Sequence, residues 1–165
     1  MFLLQIAHSF LEAMPFVSLL VVFFGVVAIL EEQHVFEPII DAVLGLSLDA
    51  QPAALFVTNG VLSMVSDNVF VATVFIENVN QVFMDESKNM TRAHFEDLAV
   101  AINMGTNLPS CATPNGQAAF LFVLTSVVAP LVRLNYSKMV VMIMPYTIML
   151  TVAGLVGISL MKVHA

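Results

Sequence analysis

Charge is absent from long stretches of this chain. No Asp, Glu, Lys or Arg occurs within residues 13–30, 50–66, 98–132 or 139–161. A helix needs about 20 mostly apolar residues to cross a bilayer core about 30 Å thick. The last run meets that length and the first nearly does. The third is too long for one crossing and holds several Pro, Gly and Asn residues. Hydrophobic residues make up 59% of the 165 and charged residues 10%, against about 25% charged in a soluble domain. There is too little polar surface to wrap a soluble core. The expected fold is an all-α membrane protein whose apolar surface meets the lipid bilayer.

The same features exclude other classes. A net charge of −7 argues against nucleic acid, which attracts basic surfaces, and against anionic lipid headgroups, which attract Lys/Arg clusters. The acids gather within 31–49 and 85–97, so those segments read as aqueous. The single cysteine, Cys111, excludes an internal disulfide and a Cys-rich metal site. Residues 1–20 have no basic region ahead of an apolar one and no small-residue cleavage site, so they read as membrane helix and not as a removable signal. No phosphate-binding loop, GxSxG or HExxH occurs, and no nucleophile stands at a credible spacing from a base. Neither enzymatic chemistry nor a cofactor is expected.

Residues 2–30 read as a helix kinked at Pro15, with His8 and Glu12 one turn apart at an interfacial or cavity-facing end. Within 35–46, Val35, Phe36, Ile39, Ile40, Val43 and Leu44 share a face, with Glu37 and Asp41 off it. That amphipathic pattern fits a helix lying in the membrane interface and equally a short solvated linker. Residues 51–83 are apolar but interrupted at Ser66-Asp67-Asn68. Each side is about 15 residues, or about 22 Å at the helical rise. That suits the arms of a re-entrant hairpin with its polar tip at mid-membrane; a single crossing helix with a buried polar patch is the alternative. After a charged loop, 94–132 reads as a broken membrane helix. Its middle, 103–117, holds two prolines, two glycines and three asparagines, which cannot make a regular helix. Residues 118–132 form its second half. A loop outside the membrane would carry charges in this middle segment, and none is present. Residues 136–161 read as a conventional membrane helix with Ala153 and Gly157 as a small-residue packing face.

Asp67 is the sharpest clue to chemistry. An intramembrane carboxylate is costly and marks a functional site by default. It can hold either a proton or a cation, and that competition is the physical core of cation/proton exchange. Asp is also a preferred N-cap, and both roles can coexist. Asn59, Ser63, Ser66 and Asn68 add oxygens that suit a hard cation such as Na+, although the serines serve packing equally well. Broken membrane helices place half-helix ends and carbonyls at a midplane site. There Thr106, Asn107, Ser110, Thr113 and Asn115 contribute oxygens, with Pro109 and Pro114 fixing the unwound path. Glu77 lies nearer an aqueous end. His8, His34, His94 and His164 are scattered, form no metal site, and read as surface residues where they fall in aqueous segments.

Ser66-Asp-Asn-Val-Phe-Val-Ala-Thr73, Gly105-Thr-Asn-Leu-Pro-Ser110 and Ala112-Thr-Pro-Asn-Gly-Gln-Ala-Ala-Phe-Leu-Phe122 resemble the C-terminal half of the NhaB sodium/proton antiporters. More remotely the chain resembles arsenite and dicarboxylate transporters. The resemblance implies one repeat of an inverted-repeat secondary transporter, with a re-entrant helical hairpin and a broken transmembrane helix. It places 66–68 at the hairpin tip and 105–115 in the unwound segment. It implies Na+ or Li+ exchanged for H+, a multi-pass protein of the bacterial inner membrane, and the 133–138 loop on the cytoplasmic side. It further implies an absent N-terminal repeat, or a second copy as partner, with this chain a fragment, a truncated gene or one half of a split transporter. An arsenite- or dicarboxylate-type carrier and a non-transporting remnant are the competing readings. An anion site would use basic residues or half-helix N-termini, and the membrane runs contain no Lys or Arg.

Overall fold

The structure is a computed structural model. It describes residues 35–161 throughout and, ahead of them, residues 11, 14, 17, 18, 21, 22, 25, 26, 28, 29, 32 and 33. The chain divides into two compact units, Met1–Val35 and Phe36–Ala165. In the first, the described residues from Leu11 to Glu32 are helical. The expected kink at Pro15 and the His8–Glu12 pair lie outside the described residues, as do His34 and His164.

The described part of the second unit is helical, with no strand. Its helices are α1 (Glu37–Leu44), α2 (Gln51–Val65), α3 (Asn68–Met84), α4 (Arg92–Asn107), α5 (Ala118–Thr125), α6 (Val128–Leu131) and α7 (Tyr136–Met161). In α1 the periodicity sorts as expected, with Ile40 and Val43 buried and Asp41 exposed. Phe36, just ahead of it, meets Phe70 of α3 edge-on at 5.5 Å.

The interruption at 66–68 is a true helix break. Ser66 and Asp67 are both extended, at φ −115°, ψ 167° and φ −63°, ψ 135°. Asp67 Oδ1 accepts from the N–H groups of Val69 (2.9 Å) and Phe70 (3.3 Å). Two of the unbonded donors that open α3 are thereby satisfied, as an N-cap does. At the far end of α3, Asp85 accepts from the Ser87 N–H at 3.0 Å. Hydrogen bonding from Ser87 holds that carboxyl below its ordinary range. The fourth helix starts at Arg92, two residues before the expected boundary, because Thr91 Oγ1 accepts from the His94 N–H.

His94 is not a plain surface histidine. It is half-buried, and its Nε2 lies 2.7 Å from Gln51 Oε1. Gln51 is itself buried and donates from Nε2 to the carbonyls of Leu44 (2.9 Å) and Leu46 (3.0 Å). Its oxygen is therefore the end left for the ring, so His94 Nε2 carries the proton. The signal was invisible in sequence because the two residues lie 43 positions apart.

The second half-helix is shorter than expected. Residues 118–132 do not run as one helix: α5 stops at Thr125, Ser126 is extended, and α6 is a single turn. Pro130 is the reason. It has no N–H to give the carbonyl of Ser126, and its ring would press on that carbonyl in a continuous helix. Ser126 Oγ instead donates to Val123 O at 2.7 Å and accepts from the Val128 N–H at 3.3 Å.

Among the described residues, α7 is the helix long and apolar enough to cross a membrane. Its 26 residues extend about 39 Å at about 1.5 Å each. The packing face differs from expectation. Gly154 is buried, while Ala153 is exposed and Gly157 has only Met104 near it. A methyl group at Gly154 would lie 2.8 Å from Phe56 and Leu108 side-chain atoms.

The core lies where α2 crosses α4. Leu55, Phe56, Asn59, Gly60 and Ser63 of α2 are buried, as are Leu98, Ala101, Ile102, Gly105 and Thr106 of α4. A methyl group at Gly105 would sit 2.6 Å from the Phe56 carbonyl oxygen, so the two backbones touch directly there. Gly60 leaves the matching space for the ring of Pro109.

Candidate ion-binding site

Between α4 and α5 the chain makes two short 3₁₀ turns, Pro109–Ala112 and Pro114–Gly116, joined by an extended Thr113. Each turn starts at a proline, whose preset φ suits a first helical position. This unwound segment is fastened to the end of α2. The Thr113 hydroxyl donates to Met64 O. Gly116 lies so close to the carbonyls of Ser63 and Ser110 that no side chain fits.

The break between α2 and α3 and the end of α4 meet through asparagine. Asn68 Nδ2 donates to Asn107 Oδ1 at 3.0 Å, across 39 positions of sequence. Asn107 Nδ2 donates to the backbone carbonyl of Asn103 at 2.8 Å. Beside this pair lies a cleft between α3 and α4 of about 430 Å³, lined on its polar side by Asn68, Thr73, Asn103, Thr106 and Asn107. No charged side chain lines it. Asp67, the residue before Asn68, is largely buried. Its Oδ1 serves the α3 N-terminus, and its Oδ2 accepts no hydrogen bond among the described residues.

Two carbonyls near the end of α4, where free ones were expected to face an ion, already have side-chain partners. Asn103 O accepts from Thr106 Oγ1 and Asn107 Nδ2. Asn107 O accepts from Ser110 Oγ (3.0 Å) and Gln117 Nε2 (3.3 Å). Thr106 is buried, and its single hydroxyl proton is shared between Asn103 O and Ile102 O. Ser110 is buried and accepts from Gln117 Nε2 at 2.9 Å. Helix termini leave carbonyls such as Asn107 O without a helical partner, and the Ser110 and Gln117 side chains close it here.

The structure thus brings Asp67, Asn68, Asn107, Ser110 and Thr113 to one region. Ser66 is half-buried in the break itself, and its side chain joins none of these bonds. Asn59 and Ser63 lie one turn apart, farther down α2 and fully buried. Asn59 Nδ2 donates to Leu55 O, while its Oδ1 and Ser63 Oγ have no partner. Asn115 is exposed and joins none of the bonds above. Glu77 is exposed as well. Asn103, Thr73 and Gln117 belong to the region but had not been singled out. The spacing of four between Asn103 and Asn107 was the available signal, since it puts both on one helix face. No group of three or more His, Cys, Asp or Glu residues is placed to hold a resident metal among the described residues.

The family model for the bacterial Na+/H+ antiporter B, NhaB, matches residues 4–165. The chain belongs to the NhaB family. Curated relatives agree. The Na(+)/H(+) antiporter NhaB of Marinomonas sp. (strain MWYL1) is 60% identical over 150 residues, 91% of this chain and 30% of that protein. That of Saccharophagus degradans is 60% identical over 156 residues, 94% of this chain and 31% of the relative. That of Hahella chejuensis is 61% identical over 154 residues, 93% and 30%. The chain therefore spans about 30% of the length of the curated relatives it matches. These NhaB relatives are named as antiporters and not as enzymes. No solved structure matches the chain.

Proposed function

We propose that the chain forms part of a secondary antiporter that exchanges Na+ or Li+ for H+ across a bacterial inner membrane, with Asp67 holding proton and cation in turn. The observation that carries this is the state of Asp67. Its Oδ1 is held by the α3 N-terminus at 2.9 and 3.3 Å, which fixes the carboxyl group in place and leaves Oδ2 for a proton or a cation. Oxygen-rich, uncharged side chains surround the adjoining cleft, as a hard cation requires. The absence of Lys and Arg from the lining weighs against an arsenite- or dicarboxylate-type anion carrier.

On this reading α2, Ser66–Asp67 and α3 form the re-entrant hairpin, and α4 to α6 form the broken helix, of one C-terminal repeat. The site opens toward a missing N-terminal repeat or a second copy, which completes it. The relatives' greater length supports the first of these. With 133–138 on the cytoplasmic side, α7 makes the final described crossing of a multi-pass protein.

The test is Na+-driven proton flux in everted membrane vesicles carrying the full-length transporter that contains this segment. Asp67→Asn should abolish flux at every Na+ concentration. Unchanged flux removes Asp67 from the mechanism. Flux from this chain alone would replace the missing-repeat reading with a homodimer.

A further inference from the structure

The orientation of an asparagine amide follows from what its nitrogen has to donate to. Asn107 Nδ2 lies 2.8 Å from the backbone carbonyl of Asn103. A backbone carbonyl only accepts, so the nitrogen end of Asn107 is fixed toward α4. Its Oδ1 is therefore the end that meets Asn68 Nδ2 at 3.0 Å, and Asn68 must donate. The Asn68 amide is then locked with Oδ1 as its open end. One main-chain carbonyl on α4 sets, through two amides in series, which atom the neighbour of Asp67 offers to a ligand.

Both polar ends of Asn107 are engaged in this relay, Nδ2 on the Asn103 carbonyl and Oδ1 on Asn68 Nδ2. We propose that Asn107 is a positioning residue for cation binding that acts through Asn68, holding the Asn68 carbonyl oxygen, and not its NH2 group, toward an incoming hard cation. This rests on the reading of the α3–α4 cleft as a cation site. The chemistry is directional: Na+ is attracted by an amide oxygen and repelled by an amide NH2. Without the relay, Asn68 is free to turn, and one of the oxygens beside Asp67 is replaced by hydrogens for part of the time.

The experiment is a double-mutant cycle in the full-length transporter, read as the apparent KM for Na+ and the maximal flux. Asn107→Leu should raise KM roughly five- to tenfold, the effect of one oriented hydrogen bond, with maximal flux nearly unchanged. Asn68→Leu should do the same, and the double variant should be no worse than the poorer single, because both remove one ligand. Asn107→Ser, smaller and still polar, serves where the leucine variant does not reach the membrane, and the same rise in KM is expected. A clamp with a purely structural role would lower maximal flux or thermal stability and leave KM alone, which would overturn the proposal. Multiplying KM effects in the double variant would overturn it equally. The reading of Asp67 fails separately: full flux from Asp67→Asn would sink that reading, while the KM cycle would still decide the role of Asn107.

Discussion

Two regions of the molecule behave in opposite ways. Where α2 crosses α4, backbone meets backbone at Gly105, and polar residues such as Asn59, Ser63 and Thr106 are fully enclosed. Along α5 no side chain is buried. Beyond it Val127 and Leu131 are about as open as side chains become, each 80% exposed. In a soluble protein the apolar segment would be the inside. Here the seam encloses small and polar residues alongside Leu55, Phe56 and Ile102, while bulky apolar side chains beyond α5 stay on the outside, as expected where hydrocarbon chains and not water surround the helices.

The strongest way to break this contrast is to put a methyl group into the seam. Gly105→Ala would bring Cβ to 2.6 Å from the Phe56 carbonyl oxygen, and main-chain atoms cannot swing aside. Overpacking of this kind costs about 1–3 kcal/mol. The melting temperature in detergent should fall by several degrees, and flux with it. Gly157→Ala is the control, since its nearest neighbour is Met104 Cε at 3.8 Å, and its melting temperature should match the parent. Equal losses in the two variants would erase the distinction between seam and outer face. A smaller effect is expected from Thr113→Val, which removes the donor to Met64 O and should cost about 0.5–1.5 kcal/mol, read by denaturant titration. Smallest of all, Leu131→Ala on the open side should change stability by no more than about 0.5 kcal/mol. A larger loss there would show that α6 is covered by something other than lipid.

Much of this was legible in sequence, for physical reasons. Ser66-Asp67-Asn68 interrupts an apolar run with residues that cap helices, and the break falls there. Pro109, Pro114 and Gly116 between α4 and α5 forbid a continuous helix, and the unwound segment follows. Local chemistry dictates both. The break at Ser126 was locally encoded too, in Pro130, but the apolar run around it masked the signal. Pairings were out of reach. Asn68 finds Asn107 and Gln51 finds His94 only after α2, α3 and α4 have packed, and nothing in either neighbourhood announces the partner. Gly154, which is buried where Ala153 is exposed, was hidden for the same reason: the choice between adjacent small residues is made by Phe56 and Leu108, far away in the chain.

The Thr113 hydroxyl grips α2 where that helix runs out, and Gly116 lies flush against the carbonyls of Ser63 and Ser110. These contacts have a mechanical corollary. The end of α2 and residues 109–116 travel as a single load: neither slides past the other without shearing the Thr113 bond and driving main chain into main chain. Any rearrangement of this part of the chain has to find its slack outside that block. Outside it, the chain departs from regular helix at Ser126, which is extended, and at Arg133, where φ is 51°.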